Sequence, residues 1–151
     1  MKMKHYTHRT YILILILMNF SCESHLINGE LDGFWQVQTI ENFDTEEVIN
    51  RNNDAFYAFQ RHIVQLTLQP ETHVMGQMGA RYHAEFNWND DSIKFGEFRE
   101  YDLYGSKKKV HPTILKEFGI FQENTTFYIE NLDKKSLTLT SEEARIKLRK
   151  Y

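Results

Sequence analysis

Apolar and polar residues alternate along most of the chain from residue 33 onward, which is typical of β-strands with one buried face. In the first of these runs Trp35, Val37 and Thr39 share one face. Short turns separate the runs, so successive strands are expected to form hairpins in chain order, and about eight of them can close into a barrel without exposed edges. The predicted strands are 33–40, 55–69, 78–88, 92–104 (bent or split at 97–99), 120–123, 126–132, 136–141 and 143–150.

Helical signals are confined to two short stretches. A proline at its start and a glycine just past its end delimit a predicted helix over 112–118, where Ile114 and Phe118 can plug one end of a barrel. The residues at 44–47 resemble a capping box, so 45–51 forms either one helical turn or a polar loop. The predicted fold class is therefore all-β: a small antiparallel up-and-down barrel of about eight strands with one short helix.

The first 22 residues differ from the rest of the chain. Residues 1–10 carry three basic side chains and no acidic one, eight apolar residues follow over 11–18, and a serine precedes Cys22. The apolar run is shorter than the roughly 20 residues of a membrane-spanning helix, and its flanks are those of a secretory signal. We therefore predict a signal peptide over 1–21, a tether over 22–32 and a barrel domain over 33–151. Cys22 lies where a bacterial lipoprotein signal places its acylated residue.

Composition narrows the classes of function. The 151 residues are enough for one domain, and an apolar content of 41% is too high for a disordered chain. The net charge of −3 argues against a dedicated nucleic-acid binder. The single cysteine excludes an intramolecular disulfide.

The two ends of the barrel domain resemble the lipocalins. Gly33-Phe34-Trp35 opens the first strand, and basic residues lie in the last strand. In that family the tryptophan of a G-x-W motif plugs the closed end of the barrel, and a late arginine or lysine packs across its indole ring. The resemblance assigns this closure to Gly33, Trp35 and Arg149, with Arg145 as the alternative cation; a guanidinium stacks well on an indole face.

Further segments, at 31–36, 57–61, 118–120 and 148–151, are similar to lipocalin-like secreted lipoproteins of the Bacteroidota. With the lipoprotein signal, the resemblance covers most of residues 10–151. It implies a lipocalin-like barrel that is exported and anchored through lipid on Cys22 to the cell envelope, at the outer membrane.

Two functions are compatible with such a barrel. In the first, the interior binds a small hydrophobic or amphipathic ligand without chemistry, since an eight-stranded barrel can hold one small molecule. In the second, side chains fill the interior and the outer surface serves as a protein- or glycan-contact module. The candidate ligand-binding residues are those expected to point inward: Val37, Phe56, Val64, Leu66, Tyr82, Phe86, Phe95 and Phe127.

Motifs for catalysis or metal binding are weak. The chain lacks a G-x-S-x-G elbow and a glycine-rich phosphate loop, and its histidines do not have zinc-site spacing. We therefore expect no catalytic residue, no cofactor and no metal. The expected partners are a small hydrophobic ligand and the membrane, and nucleic acid is not expected to bind. The basic run at 107–109 is expected to be a solvated loop or a contact for an anionic surface. The histidines after Cys22 are His25, His62, His73, His83 and His111.

Overall fold

The computed structural model describes residues 27–51, 54–69, 79–100 and 108–151 of the chain. A 3-10 turn over Gly29–Leu31 leads into the sheet, and one α-helix, α1, spans Pro112–Lys116. The predicted signal peptide, Cys22 and the first residues of the tether lie outside the described residues. The strands are β1 Gly33–Asn42, β2 Glu47–Asn50, β3 Ala55–Gln60, β4 Ile63–Leu68, β5 Ala80–Trp88, β6 Ser92–Phe95, β7 Arg99–Glu100, β8 Thr126–Leu132, β9 Ser136–Thr140 and β10 Ala144–Lys150.

The sheet closes on itself because its first strand pairs with its last. From β1 the neighbouring strands follow in the order β3, β4, β5, β6, β8, β9 and β10, and β10 returns to β1. The closing ladder is antiparallel, from Trp35 opposite Lys150 to Asn42 opposite Ala144. β2 lies beside the second half of β1, and β7 pairs with β5 next to β6. The predicted all-β antiparallel barrel of about eight strands with one short helix is confirmed.

The region predicted as a single strand over 55–69 is a hairpin instead. β3 and β4 pair antiparallel, with Phe59 opposite Val64, and the chain turns at 61–62. Arg61 has a φ of 56°, a left-handed conformation that non-glycine residues adopt rarely. The turn contains no glycine, proline, asparagine or aspartate, so the apolar alternation continues through it without a turn signal.

Two other segments differ from the prediction. The stretch expected at 45–51 as a helical turn or loop contains β2, and the turn before it is fixed by Asn42, whose side-chain oxygen accepts the amide hydrogens of Asp44 and Thr45. The strand expected at 120–123 is irregular, because the Ile120 amide donates to the Leu115 carbonyl at 3.0 Å and so continues from α1. The strand predicted over 92–104 breaks between β6 and β7 as expected, and its last residues lie outside the described ranges.

A β-bulge in β1 exchanges the faces of the strand. The pairing with β10 passes from Val37 opposite Leu148 to Thr39 opposite Lys147, so Gln38 is the extra residue. As a result Ile40 is fully buried and Thr39 is not, contrary to the predicted alternation. One inserted residue reverses the orientation of every side chain that follows it in the strand.

Aromatic side chains fill the interior. Neighbouring rings in this core lie 5.3 to 6.3 Å apart, mostly edge to face or stacked, which are the favoured arrangements for aromatic pairs. We call the end with Trp35 and the 3-10 turn the closed end, and the end with α1 and Phe118 the helix end. The rings of the core belong to Tyr57, Phe59, Tyr82, Phe86, Phe95, Phe98, Phe118 and Phe127.

Gly119 lets the chain cross the helix end in contact with the barrel wall. It has a φ of 81°, and a Cβ there would lie 2.7 Å from the side chain of Ile146. We expect Gly119→Ala to lower the free energy of unfolding by about 2–4 kcal/mol, because left-handed strain adds to overpacking.

The control is Gly29→Ala, measured by urea denaturation beside Gly119→Ala. Gly29 also has a left-handed φ, 56°, but a Cβ there would have nothing within 4 Å. That variant should lose only about 1 kcal/mol. Equal losses at the two glycines would contradict the close packing of Gly119 on Ile146.

Candidate functional site

The closed end is built around Trp35. Its indole is fully buried, and the indole N–H donates to the Leu31 carbonyl at 2.8 Å. The Lys150 ammonium lies 4.4 Å from the ring centroid and donates to the carbonyls of Glu30 and Asp32 at 2.7 and 2.5 Å. Burial lowers the pKa of Lys150, partly offset by the charge of Asp32. These contacts tie the last strand to the 3-10 turn beneath the barrel.

Of the residues that the lipocalin resemblance assigned to this closure, Gly33 lies at it beside Trp35, whereas Arg149 and Arg145 bond to other side chains. Gly33 lies against the Lys150 side chain, and a Cβ there would lie 2.8 Å from Lys150 Cε. Arg149 Nη2 donates to Gln36 Oε1 at 2.7 Å, and Arg145 forms ion pairs with Glu41 and Glu130. The cation over the indole is therefore Lys150, which lies directly opposite Trp35 in the closing ladder.

The alternation of inward-facing and outward-facing residues in β10 indicates that Lys150 is the cation at the closed end. Ala144, Ile146 and Leu148 face the core, so the next residue on that side of the strand is Lys150, while Arg149 faces outward. The strand ends there, so the lysine side chain can pack across the end of the barrel with its ammonium on carbonyl oxygens.

The candidate ligand-binding residues form the core rather than a common cavity wall. Seven of the eight belong to the packed interior, and of these Phe95 also contacts a pocket at the helix end. Phe56 is the exception. Tyr57 lies opposite Trp35 in the ladder and shares its inward side, so the neighbouring Phe56 points outward. There it stacks on Phe34 at 5.0 Å and meets the edge of Tyr151 at 5.7 Å.

Phe118 plugs the helix end. Its ring is fully buried and meets the rings of Tyr57 and Tyr82 edge to face, each at 6.2 Å. The Tyr57 hydroxyl donates to the Phe118 carbonyl at 2.7 Å. The predicted role of Phe118 as a plug agrees with this packing, and Ile114 lies partly buried beside it.

The buried Tyr57 hydroxyl makes stability sensitive to alkaline pH. Burial raises the pKa of Tyr57 far above its usual range, whereas a tyrosine in the unfolded chain ionises near pH 10. The stabilisation is therefore fully present below about pH 10 and is lost above it, by up to about 1.4 kcal/mol per pH unit. Burial raises the pKa of Tyr82 as well, so it adds to the same trend.

We expect Tyr57→Phe to flatten this alkaline loss, measured by urea unfolding at about pH 9 and about pH 11. The variant should also lose about 1–3 kcal/mol near neutral pH, because the Phe118 carbonyl loses its buried donor. Tyr128→Phe is the control, since Tyr128 is exposed on the outer face of β8. An unchanged alkaline slope in Tyr57→Phe would contradict the assignment.

A pocket of about 120 Å³ opens beside this plug, at the helix end. Its floor is apolar and comes from three separate parts of the chain, and its rim is polar. A helix, a strand end and two loops therefore meet here. The floor consists of Phe95, Phe98, Val110, Leu115 and Ile120, and the rim of Gly96, Glu97, Lys109, Gln122, Glu123, Asn124 and Thr125.

Charged groups on the rim pair with one another. Lys109 Nζ lies 2.7 Å from a carboxylate oxygen of Glu123 and 3.5 Å from one of Glu97. The hydrogen bond with Glu123 is the main reason that the pKa of Lys109 is raised. Glu97 also pairs with Arg99 at 2.8 Å. The mouth of the pocket is therefore bridged by an ion-pair network over an apolar floor.

A polar groove of about 310 Å³ lies on the other side of the rim loop. Gln122, Glu123, Asn124 and Thr125 belong to both the groove and the pocket. The far wall of the groove carries Glu142, Glu143 and the exposed ring of Tyr128. An apolar pocket and an acidic groove thus adjoin each other.

The histidines and the basic run at 107–109 do not form a common site among the described residues. His62 is exposed in the turn between β3 and β4, and His83 lies on β5, opposite Gln65. Within the described ranges no group of three or more His, Cys, Asp and Glu side chains is arranged to hold a metal ion. Of the basic run, Lys108 and Lys109 pair with Glu100 and Glu123, and Lys107 lies outside the described residues. His25 and His73 are also outside them.

Known proteins that are similar to this chain match it over the whole barrel. A sequence model of a family described as "Lipocalin-like domain" matches residues 15–151. A solved lipocalin-like protein from Bacteroides uniformis is 18% identical, covers 82% of this chain and 100% of its own, and superposes with a TM-score of 0.57. An uncharacterized protein from Bacteroides eggerthii is 19% identical, with 80% and 99% coverage and a TM-score of 0.58. No curated protein matches the chain. Among the described helices, none has the length and apolarity to cross a bilayer.

Proposed function

Because the chain belongs to the lipocalin-like domain family, we propose that it is a non-catalytic protein of the cell envelope that binds a small amphipathic molecule at the helix end of its barrel. The observation that carries this proposal is the pocket of about 120 Å³ with an apolar floor and a polar rim. The binding site therefore lies beside the plug formed by Phe118 and not in the centre of the barrel.

The size of the pocket limits what can enter. Sites for drug-sized ligands are several hundred Å³ in volume, whereas an apolar cavity of roughly 150 Å³ accepts a single benzene ring. The pocket is thus suited to one ring or a short branched alkyl group. The rest of a ligand would lie outside, on the rim and in the neighbouring groove.

The groove suggests the chemistry of that outer part. It carries Glu123, Glu142 and Glu143 together with the amides of Gln122 and Asn124. A protonated amine or a group with several hydroxyls can bind such a surface, while a carboxylate there would be repelled. The proposed ligand therefore joins a small apolar group to a cationic or hydroxyl-rich head.

Simple binding is favoured over catalysis by the pairing at the rim. Glu97 and Glu123 are the carboxylates closest to the pocket, and both contact the ammonium of Lys109. A general base must be placed to take a proton from substrate, and carboxylates held on a lysine serve structure instead.

Binding at the pocket can be tested with Val110→Phe. Val110 is buried in the pocket wall, so the larger side chain should occupy the pocket. The probes are benzylamine, benzyl alcohol and benzoate, which share a ring and differ in their heads. We expect benzylamine and benzyl alcohol to shift NMR signals of Leu115 and Ile120, benzoate to bind weakest, and Val110→Phe to lower the affinity at least roughly tenfold.

The matched control is Val48→Phe, the same exchange on exposed β2. It should leave probe binding unchanged. If Val110→Phe folds and binds the probes as well as the unmodified protein does, the pocket is not the binding site.

The envelope location is proposed from Cys22 and the signal-like residues before it. Two or more acyl chains on one cysteine would anchor the protein stably, where a single chain binds only marginally. Labelling cells with a fatty-acid probe should tag the protein and not its Cys22→Ser variant. Equal labelling of the two would remove the anchor from the proposal.

A contact module remains the second candidate, because aromatic side chains fill the barrel interior. Its contact surface would be formed by Phe34 and Tyr151, which cover the buried ring of Phe56 on the outside of the barrel, and Tyr151 is 76% exposed. Loss of partner binding on Tyr151→Ser, with probe binding intact, would favour this alternative.

A further inference from the structure

A lysine of the chain itself pairs with the carboxylates at the mouth of the pocket at the helix end. Lys109 Nζ lies 2.7 Å from a carboxylate oxygen of Glu123 and 3.5 Å from one of Glu97. Both glutamates line the pocket, so their carboxylates are near its apolar floor. The mouth therefore binds an ammonium group, and that group belongs to Lys109.

Lys109 and Glu123 come from two separate segments of the chain. Lys109 lies in a short ribbon, where it forms a bridge with Arg99 and the next amide, of Val110, donates to the Phe98 carbonyl at 3.0 Å. Glu123 lies in the loop between α1 and β8. The ion pair therefore joins the ribbon to the loop across the rim of the pocket.

Hydrogen bonds other than this ion pair hold the two segments in shape. In the loop, the Thr125 hydroxyl donates to the Gln122 carbonyl at 2.8 Å and so closes the turn around Glu123. The ribbon is held by its own backbone bonds, since the Glu100 amide also donates to the Lys108 carbonyl at 2.9 Å. The side chain of residue 109 can therefore leave the mouth while the two carboxylates stay in place.

The ion pair is weak enough to be exchanged. The side chains of Lys109 and Glu123 are each 46% exposed, and ion pairs with such exposure contribute little to stability. Within the described ranges Glu123 pairs with Lys109 alone, whereas Glu97 also pairs with Arg99 at 2.8 Å. Glu123 is thus the carboxylate that an ammonium group from outside can take over.

We propose that Lys109 competes with the ligand for Glu123, and that a primary ammonium group on the ligand displaces the lysine when the site is filled. The apolar group then lies on the floor of the pocket and the ammonium at the former position of Lys109 Nζ, while the lysine side chain extends into solvent. This inference rests on the proposed function and narrows the head of its ligand from a cationic or hydroxyl-rich group to a primary amine.

The chemistry of the head decides whether Lys109 is displaced. An ammonium group forms charge-assisted hydrogen bonds with a carboxylate, which are roughly twice as strong as neutral ones, so it can replace the lysine on Glu123. A hydroxyl group lacks the charge, so a ligand with such a head leaves Lys109 in place and gains only its contacts with the floor. Lys109 therefore lowers the affinity of the pocket for amines and not its affinity for alcohols.

NMR titration with benzylamine and benzyl alcohol tests this competition, because the two probes share the ring and differ in charge. Lys109→Met removes the ammonium and keeps an unbranched apolar side chain. We expect it to raise the affinity for benzylamine at least roughly fivefold, since a like charge about 4 Å away costs about that factor even in water. The affinity for benzyl alcohol, which carries no charge, should change by less than about twofold.

Glu123→Gln should act in the opposite direction and lower the affinity for benzylamine at least roughly fivefold. In the double variant, the gain from Lys109→Met should be smaller than in the unmodified protein, because the two residues act on the ligand through one ion pair. The control is Lys108→Met, the same exchange one residue earlier. Lys108 is 74% exposed and pairs with Glu100 at 3.7 Å, so its loss should leave both affinities unchanged.

Displacement is followed directly in the carbon-13 signal of Lys109 Cε in the unmodified protein. Benzylamine should move this signal toward that of a solvated lysine, and benzyl alcohol should not. If benzylamine binds at Leu115 and Ile120 without moving the signal, or if its affinity is the same in Lys109→Met, the inference is wrong and the proposed function stands. Absence of binding by both probes in every variant would overturn the inference and the proposed function together.

Discussion

Replacing Trp35 by alanine is expected to lower the free energy of unfolding by about 3–5 kcal/mol, the range for truncating a buried tryptophan or phenylalanine. Three contacts are lost together: the fully buried ring, the bond from its N–H to Leu31, and the surface on which the Lys150 ammonium lies. The loss removes the link between the 3-10 turn, β1 and β10 at the closed end.

The measurement is urea unfolding followed by circular dichroism, with Trp88→Ala as the matched exchange. Trp88 is only partly buried and keeps one hydrogen bond, to Asn28, so its truncation should cost less than half as much. A loss at Trp88 as large as that at Trp35 would show that the closed end does not depend on the buried indole.

Phe118→Ala is expected to be similarly costly, about 3–5 kcal/mol, and to change binding as well as stability. The ring fills the helix end between Tyr57 and Tyr82, and the Gly119 backbone that follows it already packs against the Ile146 side chain. The variant should therefore contain an apolar cavity inside the barrel. Such cavities stay dry and take up small apolar molecules.

Toluene titration by NMR tests this second effect. The variant should show new shifts at Tyr57 and Leu66, inside the barrel, which the unmodified protein does not show. Phe121→Ala is the control, because Phe121 is only partly buried at the same end. If the unmodified protein already binds toluene among these interior residues, the interior is not filled and the assignment of Phe118 as a plug is wrong.

The barrel could be predicted from the sequence because its strands depend on the alternation of apolar and polar residues, which can be read from the chain position by position. The strands from β8 to β10 and the helix near Pro112 follow directly from apolar periodicity and from turn residues. The hairpin of β3 and β4 could not be predicted in this way. Its turn at Arg61 lacks the residues that normally mark a turn.

The orientation of side chains was harder to predict than the strands themselves. Phe56 and Tyr57 lie in a run that is apolar on both faces, so alternation alone does not tell which ring points inward; the pairing of Tyr57 with Trp35 decides it. The bulge at Gln38 reversed the faces of β1, and such an insertion depends on the partner strand.

The pocket at the helix end could not be predicted from periodicity. Its floor brings together Phe98, Val110 and Ile120, which lie in irregular segments without an alternating pattern. The closing cation, by contrast, was within reach of the sequence, because Lys150 continues the inward face of β10.

We expect a small apolar group to bind beside the plug at the helix end and not inside the barrel. A crystal of the protein pressurised with xenon tests it most directly, since xenon occupies apolar cavities and its position is seen in the electron density. Xenon is expected to lie against Val110, Leu115 and Ile120. Xenon among Leu66, Phe86 and Phe127, in the centre of the barrel, would contradict it.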